Sequence, residues 1–421
     1  MSIREMKINP LPLKQNDPIG NTMRRWILLA ILVTAPVLVE GQVDPYLAGR
    51  ACMERGDYDS AVVQLRKALE MDPGKAEILY QLGISYFNLN QNPAALDAFY
   101  EADKRRKGMG SLYLAKTEVR LNHTEQAMKY LKEHLSSRYR IPEQELLQDP
   151  EILRLETKSG WRELWNEKEW YSQQDQTYQD ALFMKKNDQE LEAINLLTSL
   201  EKQGYKTSLV QAEKADIYMK LGNQKAARSA YRAAVRSDVR NTDALFRLAG
   251  YQMEDGDLEE ALQDLDRVIR QDPSRFEAYL VRADARSMNH DLTGALEDVD
   301  LYLSYFPESH EAYYRRGSIL RSHGKYLDAI QSFNRALQMN HGSAAYYFAR
   351  GMTYAATGTI RYAEKDMSMA LDLDPLNGEI WFEKGKVDEK LGYLEDACFC
   401  YRKAYQYGIF EAGEILEKRC R

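Results

Sequence analysis

Small and apolar residues recur along the second half of the chain at a fixed interval. Ala227, Ala261, Ala295, Ala329, Ala363 and Ala397 are each 34 residues apart. Twelve residues before each stands another small residue: Ala215, Ala249, Ala283, Gly317, Gly351 and Gly385. Large side chains keep the same beat. With positions counted from residue 208, position 24 reads Tyr231, Leu265, Val299, Phe333, Met367 and Tyr401. Position 4 reads Leu245, Tyr279, Tyr313, Tyr347 and Trp381 from the second of these repeats on. Gly222, Gly256, Gly324, Gly358 and Gly392 fall between two apolar stretches, where a turn needs positive φ. Pro273, Pro307 and Pro375 follow the second stretch and stop it. The pattern predicts two antiparallel helices per repeat, close-packed where the small residues face each other. Stacked hairpins of this length make an all-α solenoid.

The frame continues upstream, with repeats beginning at 42, 76, 108 and 174. Their two small positions are Gly49 and Ala61, Gly83 and Ala95, Ala115 and Ala127, and Ala181 and Ala193. The expected organisation is three repeats over 42–141 and seven over 174–411, about ten in all. Residues 412–421 read as a capping helix at the open end, part of an amphipathic tail from Phe410 to Arg421 with Phe410, Ile415 and Leu416 apolar. Residues 142–173 lose the beat at Pro142 and Pro150 and read as an irregular helical joint. Trp161, Trp165 and Trp170 crowd into it. Two readings of these tryptophans stand: they seal the joint, or they form a second binding patch.

These phases resemble the tetratricopeptide repeat, whose plainest copy here is Trp381-Phe382-Glu383-Lys384-Gly385. The joint's DPEI and GWREL segments are similar to those of exported bacterial members. The resemblance implies a right-handed superhelix that binds protein or peptide partners along its concave face. In that family, first-helix positions 2, 5, 9, 12 and 13 line the concave face. Position 5 supplies Tyr46, Tyr80, Tyr178, Phe246, Tyr314, Phe348 and Phe382; position 9 adds Met352 and position 12 adds Phe87. These nine are the candidate groove. Against this stands the reading that position 5 simply packs on the next repeat. The family's carboxylate clamp is not matched, since Arg315 at position 6 of repeat 8 is accompanied by Glu311 at position 2.

Composition adds limits. A net charge of −7 argues against nucleic acid as the main partner. One local exception is a basic stripe, Arg228, Arg232, Arg236 and Arg240, spaced by four. Glu259, Glu260, Asp264 and Asp266 of the next repeat are its expected counter-charges; an anionic ligand is the other reading. The acidic pairs Glu259-Glu260 and Asp298-Asp300 lie among basic neighbours and read as a charged face. No phosphate loop, zinc-protease helix or nucleophile elbow occurs, and the repeat leaves no segment to house an enzyme. The expectation is a non-catalytic scaffold without cofactor or metal. A polysaccharide-export scaffold contacting glycans, and an enzyme in the 142–173 joint, are the weaker alternatives.

Residues 23–41 carry Arg24 and Arg25, an apolar run from Trp26 to Val39, and Val39 and Gly41 as small residues before Gln42. That is the layout of a secretory leader, too short for a membrane span. With residues 1–41 set aside, the expectation is an exported chain, periplasmic or outer-membrane-associated in a Gram-negative bacterium. A eukaryotic secretory lumen is the alternative compartment. In an oxidising compartment Cys420 has two possible partners, Cys398 or Cys400, which sit two apart on one helix and cannot face the same way.

Overall fold

Each period folds as a helical hairpin. The computed structural model describes residues 43–167 and 170–420, so the leader lies outside the described residues. Repeats 1–3 pair Pro45–Glu54 with Tyr58–Met71, Ala76–Asn88 with Asn92–Arg105, and Ser111–Arg120 with Thr124–Ser136. The joint holds the short helices Glu143–Gln148, Pro150–Leu153 and Trp161–Glu167. Repeats 4–7 pair Gln173–Lys186 with Glu190–Lys202, Thr207–Lys220 with Gln224–Ser237, Thr242–Asp255 with Leu258–Gln271, and Glu277–Met288 with Leu292–Tyr305. Repeats 8–10 pair His310–Ser322 with Tyr326–Met339, Ala344–Ala356 with Ile360–Leu373, and Gly378–Leu391 with Leu394–Gln406. Glu411–Arg419 ends the array. No strand occurs among the described residues.

The alanine at position 20 is buried in every repeat, from Ala61 at 0% exposure to Ala397 at 2%. Position 8 is small because position 24 of the same hairpin lies across it. A Cβ added to Gly83 would sit 2.6 Å from the Phe99 ring, one on Gly317 2.6 Å from Phe333, and one on Gly385 2.7 Å from Tyr401. Close-packed interiors do not absorb such overlaps. The large position-24 residue thus fills its own hairpin.

Position 15 ends the first helix with positive φ in all ten repeats. Glycine meets this need at Gly56, Gly222, Gly256, Gly324, Gly358 and Gly392. Asn90, Asn122, Asp188 and His290 adopt the same left-handed conformation, with φ of 58°, 64°, 58° and 62°. Asn and Asp tolerate it; His carries the steric cost of its Cβ.

A polar ladder runs inside the array. Position 7 holds Arg282, Arg316, Arg350 and Lys384 in repeats 7–10. Arg282 donates to Asp298 of its own hairpin at 2.9 and 2.6 Å and to Asp266 of the preceding one at 2.7 Å. Arg350 repeats this with Asp366 at 2.7 Å and Asn334 at 2.7 Å. Arg316 reaches Asp300 at 2.8 Å and Ser332 at 3.1 Å. Asp298 and Asp366 are 2% and 4% exposed. The expectation of a charged face is therefore corrected at Asp298: it is a buried acceptor within its own hairpin, and Arg282 ties consecutive repeats through Asp266.

The chain also comes back on itself. Leu47, Ala48 and Ala51 in the first helix of repeat 1 pack on Phe276, Tyr302, Tyr305 and Phe306 of repeat 7. Arg55 donates to the Tyr305 carbonyl, and its guanidinium carbon lies 5.6 Å from the Phe306 ring centre. Repeats 1–7 thus close one turn, and the inner face they share is encircled.

Candidate functional site

First helices of successive repeats approach one another, as Glu277–Met288 does His310–Ser322, which places them on the inner side of the curvature. The nine candidate residues lie on these helices, and each is at least partly packed by a neighbour. Phe87 and Phe382 are buried, at 4% and 5% exposure, under Arg120 and Lys386. Tyr314 stacks on Tyr346 of the following repeat at 4.7 Å. Tyr80 meets Phe99 and Tyr113 at 5.9 and 5.8 Å, and burial raises its phenol above the usual range. Phe348 and Met352 pack against the Ala363, Met367 and Val387 cluster. Tyr46 lies 4.9 Å from Lys75, and Tyr178 6.0 Å from Tyr205.

Phe246 has a second role, because it also lines an open cavity of about 590 Å³ on the inner face of repeats 5–7. Met219, Phe246 and Val281 give it apolar walls. Gly250, at position 9, leaves the floor open: a Cβ built there meets nothing within 4 Å. Tyr231 and Tyr251 close one side, with ring centres 5.9 Å apart, and burial raises both phenols. Most charges here are already matched. Asp216 accepts from Lys185 at 2.8 Å and from the Tyr231 hydroxyl. Lys220 pairs with Glu190 at 2.6 Å, and Glu254 with Arg228 at 3.3 Å. Two groups are not: Arg247 is exposed and has no ion pair among the described residues, and the buried Tyr251 hydroxyl has no partner. A part-apolar cavity with a few unmatched donors suits an apolar side chain carried on a polar backbone.

Tyr251, Gly250 and Arg247 were not among the sequence candidates. The glycine at a groove position was the available signal, since a missing side chain there opens space. Tyr251 stands at position 10, outside the family's groove set.

Matches to the family description "Tetratricopeptide repeat" cover residues 213–276, 249–303, 280–346 and 378–407, and to "TPR repeat" residues 49–90. The chain is a tetratricopeptide repeat protein. Among solved structures it is similar to a tetratricopeptide repeat protein from Parabacteroides merdae, with 18% identity and a TM-score of 0.51 over 59% of this chain and 99% of that one. The C-terminal part of a repeat protein from Cytophaga hutchinsonii aligns at 15% identity and a TM-score of 0.44, over 55% of this chain and 95% of that one. MamA from Desulfovibrio magneticus aligns at 15% and 0.37, over 40% and 96%. At these identities the likeness concerns fold alone. No significant match was found among curated proteins.

Two further places in this tetratricopeptide repeat array bear on function. In the joint, Trp161 and Trp170 are buried, at 9% and 4% exposure, and Trp170 Nε1 donates to the Leu164 carbonyl at 2.9 Å. Trp165 is partly exposed and meets Trp161 edge-on at 5.6 Å. Both line a cavity of about 650 Å³ with Leu147 and Leu153. At the C-terminus Cys398 bonds to Cys420, with Cα atoms 5.6 Å apart, and so ties the last helix down. Cys400 faces the core beside Asp388, and burial pushes its thiol up to about 12. That last helix buries Ala412 and packs Ile415 and Leu416, while Phe410 before it is 76% exposed. Among the described residues no helix is long and apolar enough to cross a membrane.

Proposed function

We propose that this protein is an exported, non-catalytic scaffold that holds an extended or helical segment of a partner protein against the inner face of repeats 5–7. The observation that carries the reading is the cavity bounded by Met219, Phe246, Gly250, Tyr251 and Val281, open to the inside of the superhelix. The family's fold suggests protein–protein interaction, and the encircling contact between repeats 1 and 7 favours a segment over the broad surface of a folded domain. An apolar side chain of the segment fills the cavity, and its backbone or an acidic group meets Tyr251 and Arg247. Burial of that side chain supplies the affinity, at about 25 cal/mol per Å² before the cost of ordering the segment. Export is supported by the leader layout at 23–41 and by a Cys398–Cys420 pair that an oxidising compartment would keep closed.

A photo-crosslinking side chain at Phe246 tests this in cells. The reading expects a discrete partner adduct that disappears when Gly250→Trp fills the floor, and no such adduct from Leu327, which is 75% exposed on a second helix. Equal adducts with and without the Gly250→Trp change would refute it.

A further inference from the structure

We propose that the second helix of repeat 5 carries a separate docking stripe, outside the groove, for an extended acidic peptide segment. Lys225, Ser229, Arg232 and Arg236 are all exposed and share one face of Gln224–Ser237. They line a shallow cavity of about 610 Å³ whose edge is formed by Arg228 and Asp255. Arg228 is held there by Asp255 and by Glu254 at 3.3 Å, and its buried Nε has no partner.

The next repeat neutralises only one end of the stripe expected from sequence, where Arg228 pairs with Glu254 and Asp255; at the other end Arg240 pairs with Asp238, and the acids expected to face the rest are engaged elsewhere. Asp264 accepts from Gln252 at 3.1 Å and from Arg267 at 3.2 Å, and Asp266 pairs with Arg282 at 2.7 Å. Among the described residues, Lys225, Arg232 and Arg236 form no ion pair, with Glu259 and Glu260 or any other acid. Three cations are thus left free in a chain whose net charge is −7.

Spacing selects the occupant. At about 1.5 Å rise per residue, Lys225, Arg232 and Arg236 span roughly 16 Å along the helix, with Arg232 and Arg236 about 6 Å apart. An extended peptide advances about 3.3 Å per residue and returns to the same side every second residue. Two acids placed two residues apart, about 6.6 Å, therefore match Arg232 and Arg236, while Lys225, about 10 Å further along, reaches a third acid through its flexible stem. Guanidinium forks take carboxylates in paired hydrogen bonds, whereas a single small anion would reach only one or two of these cations.

The test is fluorescence anisotropy with a labelled alternating Glu-Ser peptide and a Gln-Ser control, at low and at physiological salt. The Glu-Ser peptide should bind and weaken with salt. Arg232→Glu with Arg236→Glu should lower affinity by roughly tenfold or more, because two charge-assisted contacts become repulsive. Lys225→Glu, at the far end, should give a smaller loss of its own. All three positions are exposed, so circular dichroism should stay unchanged. Gly250→Trp should leave this binding intact, which separates the stripe from the groove. The proposal falls if the control peptide binds as well, if the double variant matches wild type, if Gly250→Trp abolishes binding, or if inorganic phosphate or phosphatidylglycerol vesicles are preferred over the peptide.

Discussion

Replacing Arg282 with Ala should cost the array about 3 kcal/mol. The side chain is 14% exposed and pairs with an Asp298 carboxylate that is 3% exposed and with Asp266 across the repeat boundary. Removing the guanidinium strands a buried carboxylate, a change that typically costs about 3–5 kcal/mol. Arg286, 3.0 Å from Asp298, remains and holds the loss near the lower bound. If stranding is the cause, Arg282→Leu combined with Asp298→Leu should be less destabilising than the sum of the single changes, because the buried carboxylate is removed together with its main partner. Urea unfolding followed by circular dichroism gives the magnitude. Solenoids can lose repeats piecemeal, so hydrogen exchange of Glu277–Met288 and Leu292–Tyr305 should be read beside it. A loss below about 1 kcal/mol, or strictly additive changes, would show that the ladder is solvated and contradict the packing described.

Three further outcomes follow from local geometry. Gly317→Ala should destabilise by about 1–3 kcal/mol in the same urea assay, since the added Cβ meets the Phe333 ring at 2.6 Å. His290→Gly should raise stability by about 1 kcal/mol, because the exposed His290 adopts φ 62° at a position where six of the ten repeats use glycine. Burial, with Arg140 adding to it, lowers the His134 imidazole from 6.5 to about 4. The unfolded chain takes up the proton that the folded chain excludes, so its contribution is complete above pH 6.5 and falls as pH drops toward 4, by about 3 kcal/mol in all. Stability measured from pH 7 to 4.5 should decline less steeply in His134→Gln than in wild type.

Fold was legible wherever one residue type alone satisfies the geometry. The alanines at position 20 and the small residues at position 8 mark close helix approach, and no larger side chain fits there. The ladder was not legible, although Arg282, Arg316 and Arg350 recur in phase, because charged residues on a helix ordinarily face water. Only the packing shows Asp298 turned inward. The position-15 conformation was half visible: glycines announce it, while Asn90 and His290 conceal it. The repeat 1 to repeat 7 contact left no local trace at all, since it depends on curvature summed over seven hairpins. At the site, aromatic residues at position 5 drew attention to the inner face, yet they are packed against neighbours, Tyr80 and Tyr314 on rings of the following repeat and Phe382 on Tyr401 of its own. The open cavity depends on what is missing at Gly250, and on Tyr251, whose lack of a hydrogen-bond partner is a property of the fold and not of its place in the repeat.

The central claim is that a partner segment lies against the inner face of repeats 5–7, and hydrogen exchange of the protein with and without the crosslinked partner tests it most directly. Bound partner should slow exchange in Thr207–Lys220, Thr242–Asp255 and Glu277–Met288, while Tyr326–Met339 and Ile360–Leu373 exchange as before. Protection confined to second helices, or to the 142–173 joint, would contradict it.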